Sequence, residues 1–252
     1  MQKNRTDNSQ VALITGAARR IGAQIARKLH EAGLNVVIHF FNSAEEAELL
    51  CVELNTIREN SAHAVQMDLQ NTAGLSSLVQ QSVAIWGHLD LLVNNASRFY
   101  RTKIGEVAGE AWNDLMDSNV KAPFFLSQAA APYLAKRKGS IVNIADIHGE
   151  RPMRDYGVYC LSKAGLIMLT KVMAKELAPE VRVNAVSPGP GVWPEGESVL
   201  AESDKQRLIE RTLLKKSGNE DEIAKAVLFL ATQGDFITGQ ILSVDGGRLL
   251  RI

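Results

Sequence analysis

The sequence predicts a single α/β domain: a parallel, doubly wound sheet of about seven strands with helices on both faces. Three observations carry that expectation. Short apolar, β-branched runs alternate with helix-length amphipathic stretches from residue 11 onward, and strands separated by helices pair in parallel through right-handed crossovers. No internal repeat, linker or low-complexity stretch breaks the alternation. The 252 residues are long for an ordinary domain, but α/β domains run undivided to this length.

The elements follow in order. Val11 to Thr15 reads as the first strand, and a helix runs through Ile21, Ile25, Leu29 and Ala32 until Gly33 stops it. Val36 to Phe40 is the second strand, and Ser43 is placed to cap a helix through Ala47, Leu50 and Leu54. Ala62 to Met67 is the third strand, with Leu75, Leu78 and Val79 marking the next helix. Leu89 to Val93 is the fourth, followed by a long helical region from about Glu110 to Ala135. Ser140 to Ile144 is an apolar fifth strand of the kind buried in a parallel sheet. A polar loop and a helix carrying Tyr159 and Lys163 come next, then a sixth strand, Val181 to Val186. The loop Ser187 to Glu197 holds three prolines and three glycines, and a last strand lies near Gln240 to Val244.

Composition narrows the function classes. Apolar residues make up 46% and charged residues 22%, ordinary for a soluble protein with a sizeable core. Basic and acidic residues number 28 each, so no global field argues for nucleic acid and no charged tail for a membrane surface. Cys51 and Cys160 form no disulfide framework and lack metal-ligand spacing, so no metal is expected. The first ten residues are polar, without the apolar segment of a signal peptide. No apolar run approaches the ~18 residues of a membrane span. The expectation is a cytoplasmic protein with residues 1–10 disordered and residues 11–252 forming one domain.

The chemistry gathers around the fifth strand. Asp146 sits where that strand ends. Tyr159 and Lys163 are four apart and share one helix face. An ammonium near a phenol favours the phenolate and draws its pKa down from about 10, which suits proton transfer near neutral pH. Taken alone, the pair reads first as a tyrosine packed on a lysine stem, since a lone motif of this kind matches by chance. Thr15-Gly16-Ala17-Ala18-Arg19-Arg20-Ile21-Gly22 lies between a strand and a helix, the context of a Rossmann-like dinucleotide fingerprint. Gly16 permits the tight turn and Gly22 close helix packing, while Arg20 replaces the middle glycine and can offer its guanidinium to a phosphate. About 20 residues on, where an NAD site places an acid, the chain reads His39-Phe40-Phe41-Asn42-Ser43. Asn42 and Ser43 would not repel a 2′-phosphate, so NADP(H) is preferred. Ligands in such sheets bind beyond the carboxyl ends of the strands, which puts Asp146, the turn Thr15 to Gly22 and the segment Asn94 to Tyr100 in one cleft.

Thr15-Gly16 with Gly22, Asn94-Asn95-Ala96, Asn119, Tyr159 with Lys163, and Pro188-Gly189 together resemble the short-chain dehydrogenase/reductase family over about residues 10 to 250. Arg20, the extension Ser97-Arg98-Phe99-Tyr100, and Asp146 where most of the family has its catalytic serine make the chain similar to the pteridine reductase and dihydromonapterin reductase branch. The resemblance implies a homotetramer. It implies Tyr159 as proton donor, Lys163 on the nicotinamide ribose, and Asn119 holding a water chain to Lys163. It implies Phe99 stacked on a pterin and Ser97 near the cofactor phosphate, with Ile21, Asn95 and Ala96 lining the cofactor. Asp68 is placed against the adenine, with a helix N-cap as its other reading. Pro190-Gly191-Val192-Trp193 occupies the region where the family has a threonine, so Trp193 is expected to close over the substrate or plug the loop hinge. By the same resemblance Arg251 reaches a neighbouring subunit's site, or else the tail docks on its own subunit. A carbonyl reductase of ketoacyl or sugar substrates, and a non-catalytic NADP(H) sensor, are the competing readings.

Overall fold

The computed structural model describes residues 9–191 and 201–251. Seven strands, β1 Val11–Ile14, β2 Asn35–Phe40, β3 Ala62–Gln66, β4 Leu91–Asn94, β5 Ser140–Ile144, β6 Arg182–Pro188 and β7 Ile241–Val244, form one sheet in the order β3-β2-β1-β4-β5-β6-β7. Every pairing is parallel. The helices are α1 Arg20–Glu31, α2 Ala44–Ile57, α3 Leu75–Trp86, α4 Gly109–Met116, α5 Ala122–Ala135, α6 Gly157–Leu177, α7 Glu202–Glu210 and α8 Glu220–Thr232.

Alternation within the strands divides the core. Ala12, Ile14, Val36 and Ile38 pack with Ile25 and Leu29 of α1, Leu50 of α2 and Val227 of α8. Val11, Leu13 and Val37 point to the other face and pack with Leu78 of α3, Leu126 of α5 and Leu166 of α6. Both faces are covered, which is why these strands read as continuous apolar runs. α6 is the one described helix long and apolar enough to cross a membrane, but 61% of its apolar window lies inside the protein: it is a core helix.

Several boundaries differ from the sequence expectation, each for a local reason. Ser9 and Gln10 are tied down: the Ser9 carbonyl faces His88 Nε2 at 3.1 Å and the Gln10 carbonyl accepts from Asn35 N at 2.8 Å. Residues 1–8 lie outside the described residues. The fourth strand starts at Leu91, just after Asp90, whose carboxylate accepts from Val11 N and Arg137 Nε. The region Glu110 to Ala135 is two helices joined by a π-helical turn, Asp117–Lys121. Ser43 occupies the N-cap position of α2, but its hydroxyl makes no capping hydrogen bond.

β1 is the point where strand order reverses, with β2 on one side and β4 on the other. The crevice above it is where a doubly wound sheet binds ligands.

Candidate active site

The turn after β1 is held from three sides. Gly16 adopts φ +59°, and a Cβ there would lie 3.0 Å from Ala96 Cα. A Cβ on Gly22 would lie 2.3 Å from the Gly16 carbonyl and 2.6 Å from Asn95 Nδ2, so α1 approaches the sheet only because residue 22 is glycine. Asn95 Nδ2 donates to the carbonyls of Thr15 (2.8 Å) and Gly16 (3.0 Å), and Thr15 Oγ1 accepts from the amides of Asn95 and Ala96. The third support is His39, to which the sequence reading gave no role. Its Nδ1 accepts from Gly16 N at 3.1 Å, its Nε2 faces the Met67 carbonyl at 3.1 Å, and its own carbonyl accepts from Ala17 N at 2.8 Å. This network assigns the proton to Nε2. Burial lowers the imidazole pKa to about 4, so the ring is neutral. A histidine inside a strand buried on both faces was the available signal.

Arg20 adopts φ +53° at the position of the missing glycine, a left-handed conformation that costs an L-residue roughly 1–2 kcal/mol. Arg19 carries no side-chain cap for α1, and the first turn of α1 has no acid. The first-turn amides therefore keep their affinity for an anion. Arg19 reaches Glu46 of α2 at 3.5 Å, which brings a second cation to the end of α2 where Asn42 and Ser43 sit. This donor set, with its glycine cradle, fits a dinucleotide pyrophosphate. Ile21 packs on the core of that face. Asp68 caps no helix: its Oδ1 accepts from Gln70 N at 3.0 Å and closes a turn.

Beyond β5 the proton-transfer residues come together. Asp146 ends the strand and accepts from His148 N at 2.8 Å with Oδ1, and from the Tyr159 hydroxyl at 2.8 Å with Oδ2. Lys163 is buried and donates from Nζ to the Ile144 carbonyl at 2.9 Å. It lies 5.8 Å from the Tyr159 ring centroid, over the ring instead of at the oxygen. The expectation that Lys163 draws the tyrosine down is therefore corrected. Burial first, then the Asp146 charge and hydrogen bond, push the phenol well above its ordinary value. Burial lowers Lys163 to about 8, with Asp146 opposing.

Asn119 sits on the π-helical turn, a feature that often marks a functional position. Its Oδ1 accepts from Arg98 N and Ser97 Oγ, and its Nδ2 donates to the Arg98 carbonyl and to Ser162 Oγ. It thus clasps the segment after β4 to α6. Phe99 lies edge-on to Tyr159, with centroids 4.8 Å apart, and its face stacks on Tyr156 at 4.8 Å and 17°. One face of the expected slot is thereby taken by Tyr156, an aromatic that sequence reasoning passed over at the N-cap of α6. Gly189 donates its amide to Val244 O at 3.0 Å, and a Cβ there would lie 2.5 Å from Asp245 Cα. The strand β6 runs through Pro188. Trp193 lies outside the described residues. Arg251 docks on its own chain: its Nη1 donates to the Glu210 carbonyl, and its own carbonyl accepts from Arg151 Nη1. Among the described residues no cluster of histidine, cysteine and acidic side chains could hold a metal.

A strand-order switch, a glycine cradle at a helix N-terminus and a buried tyrosine–lysine pair define a nicotinamide-dependent oxidoreductase on a doubly wound sheet. The family model described as enoyl-(acyl carrier protein) reductase matches residues 16–248, and the chain belongs to the short-chain dehydrogenase/reductase family. It is 36% identical to pteridine reductase 1 of Leishmania tarentolae over 277 aligned residues, covering 94% of this chain and 95% of the relative. It is 34% identical over 239 residues to the 3-oxoacyl-[acyl-carrier-protein] reductase FabG of Staphylococcus epidermidis, covering 94% and 97%. An uncharacterized oxidoreductase of Methylorubrum extorquens is 37% identical over 243 residues, covering 94% and 97%. Reductases of this kind use NAD(P)H.

Proposed function

We propose that the protein is an NADPH-dependent reductase of the pteridine class, acting at a C=N bond of a dihydropterin, with oxidised pterin or dihydrofolate as further substrates. The observation that carries this reading is the 2.8 Å hydrogen bond from the Tyr159 hydroxyl to the Asp146 carboxylate, beside Phe99. An acid keeps the phenol protonated, and a flat aromatic beside it suits a flat heterocycle. When bound, the nicotinamide supplies the hydride. Gly16, Ile21, Asn95, Ala96 and Pro188-Gly189 would shape its site, Arg20 and Ser97 would hold its phosphates, and Asp68 would serve its adenine. Asn42 and Ser43, joined by Arg19, favour the 2′-phosphate. Lys163 would hold the ribose, and Asn119 keeps the segment of Ser97 and Phe99 in register with α6. Tyr159 turns its proton from Asp146 to the substrate nitrogen.

The second reading is a ketoacyl reductase, favoured by the 34% identity to a 3-oxoacyl-[acyl-carrier-protein] reductase. NADPH consumption on a panel of pterins, dihydropterins, dihydrofolate and ketoacyl thioesters separates the two. Turnover of pterins with no ketoacyl activity is expected, and ketoacyl turnover without pterin turnover would sink the first reading. A homotetramer in the cytoplasm belongs to the same proposal. The exposed Phe124 on α5 and Leu161, Met168 and Val172 on α6 support assembly, and light scattering tests it.

A further inference from the structure

Four arginines converge where the C-terminal tail meets the cleft, and the proton chemistry uses none of them. Arg151 follows the turn that Asp146 caps: its amide donates to the Ile147 carbonyl at 2.9 Å, and its carbonyl faces His148 Nδ1 at 3.0 Å. Arg248 and Arg251 lie on the tail beyond Gly246 and Gly247, and Arg211 lies at the end of α7. The tail is fastened. Arg151 grips the Arg251 carbonyl, Arg251 grips the Glu210 carbonyl, and the amides of Leu213 and Leu214 both donate to the Gly246 carbonyl. The cluster borders the cleft on two sides, through Arg151 beside the Asp146 turn and through Asp245, which presses on Gly189.

Gathering like charges is unfavourable unless something answers them. The nearby carboxylate, Asp245, is committed to the backbone, accepting from Gly247 N at 2.8 Å and Leu249 N at 2.7 Å. Among the described residues no acid forms an ion pair with any of the four guanidinium groups. Burial, then the charges of Arg211, Arg151 and Arg251, lower the Arg248 pKa, with Asp245 opposing. The chain as a whole is balanced at 28 basic and 28 acidic residues, so this is a local excess. Guanidinium forks match carboxylate and phosphate oxygens.

Resting on the pterin reading, we propose that Arg151, Arg211, Arg248 and Arg251 bind an anionic tail of the substrate, a carboxylate or phosphate, while its ring lies against Phe99 and Tyr159. All four guanidinium groups come from one chain. Such a site would favour tailed pterins over neutral ones.

The test uses the whole protein saturated with NADPH. Steady-state kinetics compare dihydrofolate, whose tail carries carboxylates, with dihydrobiopterin, whose tail is neutral. Arg151→Gln and Arg248→Gln are each expected to raise the dihydrofolate KM relative to the dihydrobiopterin KM by about tenfold, the worth of one charge-assisted hydrogen bond. Arg248→Lys should recover part of the difference. Calorimetric titration with pyrophosphate is expected to show binding that the double glutamine variant weakens at least tenfold by the same reasoning. Equal KM changes for the two substrates, or none, would mean the arginines serve the fold and overturn the proposal. Pyrophosphate binding lost in the variant without a split in KM assigns the cluster to a free anion and overturns the tail. If neither pterin is reduced, the functional reading has failed and the tail with it. The pyrophosphate titration then decides by itself whether the arginines bind an anion.

Discussion

Replacing Asp146 with alanine removes two hydrogen bonds at once, from the Tyr159 hydroxyl and from His148 N, both 2.8 Å. The first is charge-assisted and contributes about 1.5–3 kcal/mol. Its loss also leaves a buried phenol without its partner. Taking about 2 kcal/mol as the part felt in the transition state gives a fall in kcat of roughly thirtyfold. The carboxylate touches neither the Gly16 turn nor the first turn of α1, so the Kd for NADPH should change by less than about twofold. Asp146→Asn separates charge from contact. Burial is the leading cause of the raised Tyr159 pKa and the Asp146 charge the next. The asparagine variant should therefore bring the alkaline limb of the kcat profile down without carrying it below the ordinary tyrosine value. Rapid-mixing kinetics and fluorescence titration of NADPH give the two readouts. Wild-type kcat in Asp146→Ala, or an alkaline limb that rises in Asp146→Asn, would refute the assignment.

Three further outcomes follow from the cofactor side. His39 has its pKa lowered from 6.5 to about 4; the unfolded chain binds the extra proton between those values, so stability is full above 6.5 and falls as pH drops toward 4, by about 3 kcal/mol. Denaturant titrations across that range should show the fall in the wild type and a flatter profile in His39→Gln, and identical profiles would contradict it. Arg20→Gly relieves the φ +53° strain of roughly 1–2 kcal/mol against a glycine entropy cost of roughly 0.5–1 kcal/mol; the melting temperature should hold or rise while NADPH binds several-fold more weakly, and a lower melting temperature would count against the strain. Asn42→Asp should shift preference toward NADH by about tenfold, and equal kcat/KM for the two cofactors in the wild type would already defeat the 2′-phosphate argument.

The sheet was legible because parallel strands buried on both faces leave apolar runs that no surface pattern interrupts, as in Val36 to Phe40 and Ser140 to Ile144. Gly16 and Gly22 were legible because each meets a backbone limit that glycine alone satisfies. What escaped was set by contacts distant in sequence. His39 becomes a support only once β3 brings the Met67 carbonyl to its far nitrogen. Tyr156 becomes the floor of the Phe99 slot only once α6 folds against the segment after β4. The Asp90 carboxylate finds its partners only once Val11 and Arg137 arrive beside it. For Tyr159 the sequence suggests that Asp146 offsets part of the lysine effect and keeps the phenol protonated near neutral pH; the balance falls further that way, for a related reason. Spacing places Lys163 on the same helix face, but burial and the position of Nζ on the Ile144 carbonyl decide what the phenol feels.

That sign bears on the direction of the chemistry. In most of the family a neutral serine stands at position 146, and the lysine is then the one charge near the phenol, so it favours the phenolate. Here the Asp146 charge acts on both partners the same way: it raises Tyr159, and it raises Lys163 against the burial that brings the ammonium to about 8. Each group therefore holds its proton more firmly than burial and lysine alone would allow. The carboxylate and the ammonium balance, and the phenol between them stays neutral. A site so arranged is slow to take a proton from an alcohol and ready to give one to a base as strong as a ring nitrogen whose neighbouring carbon has just received a hydride, which is the direction of C=N reduction.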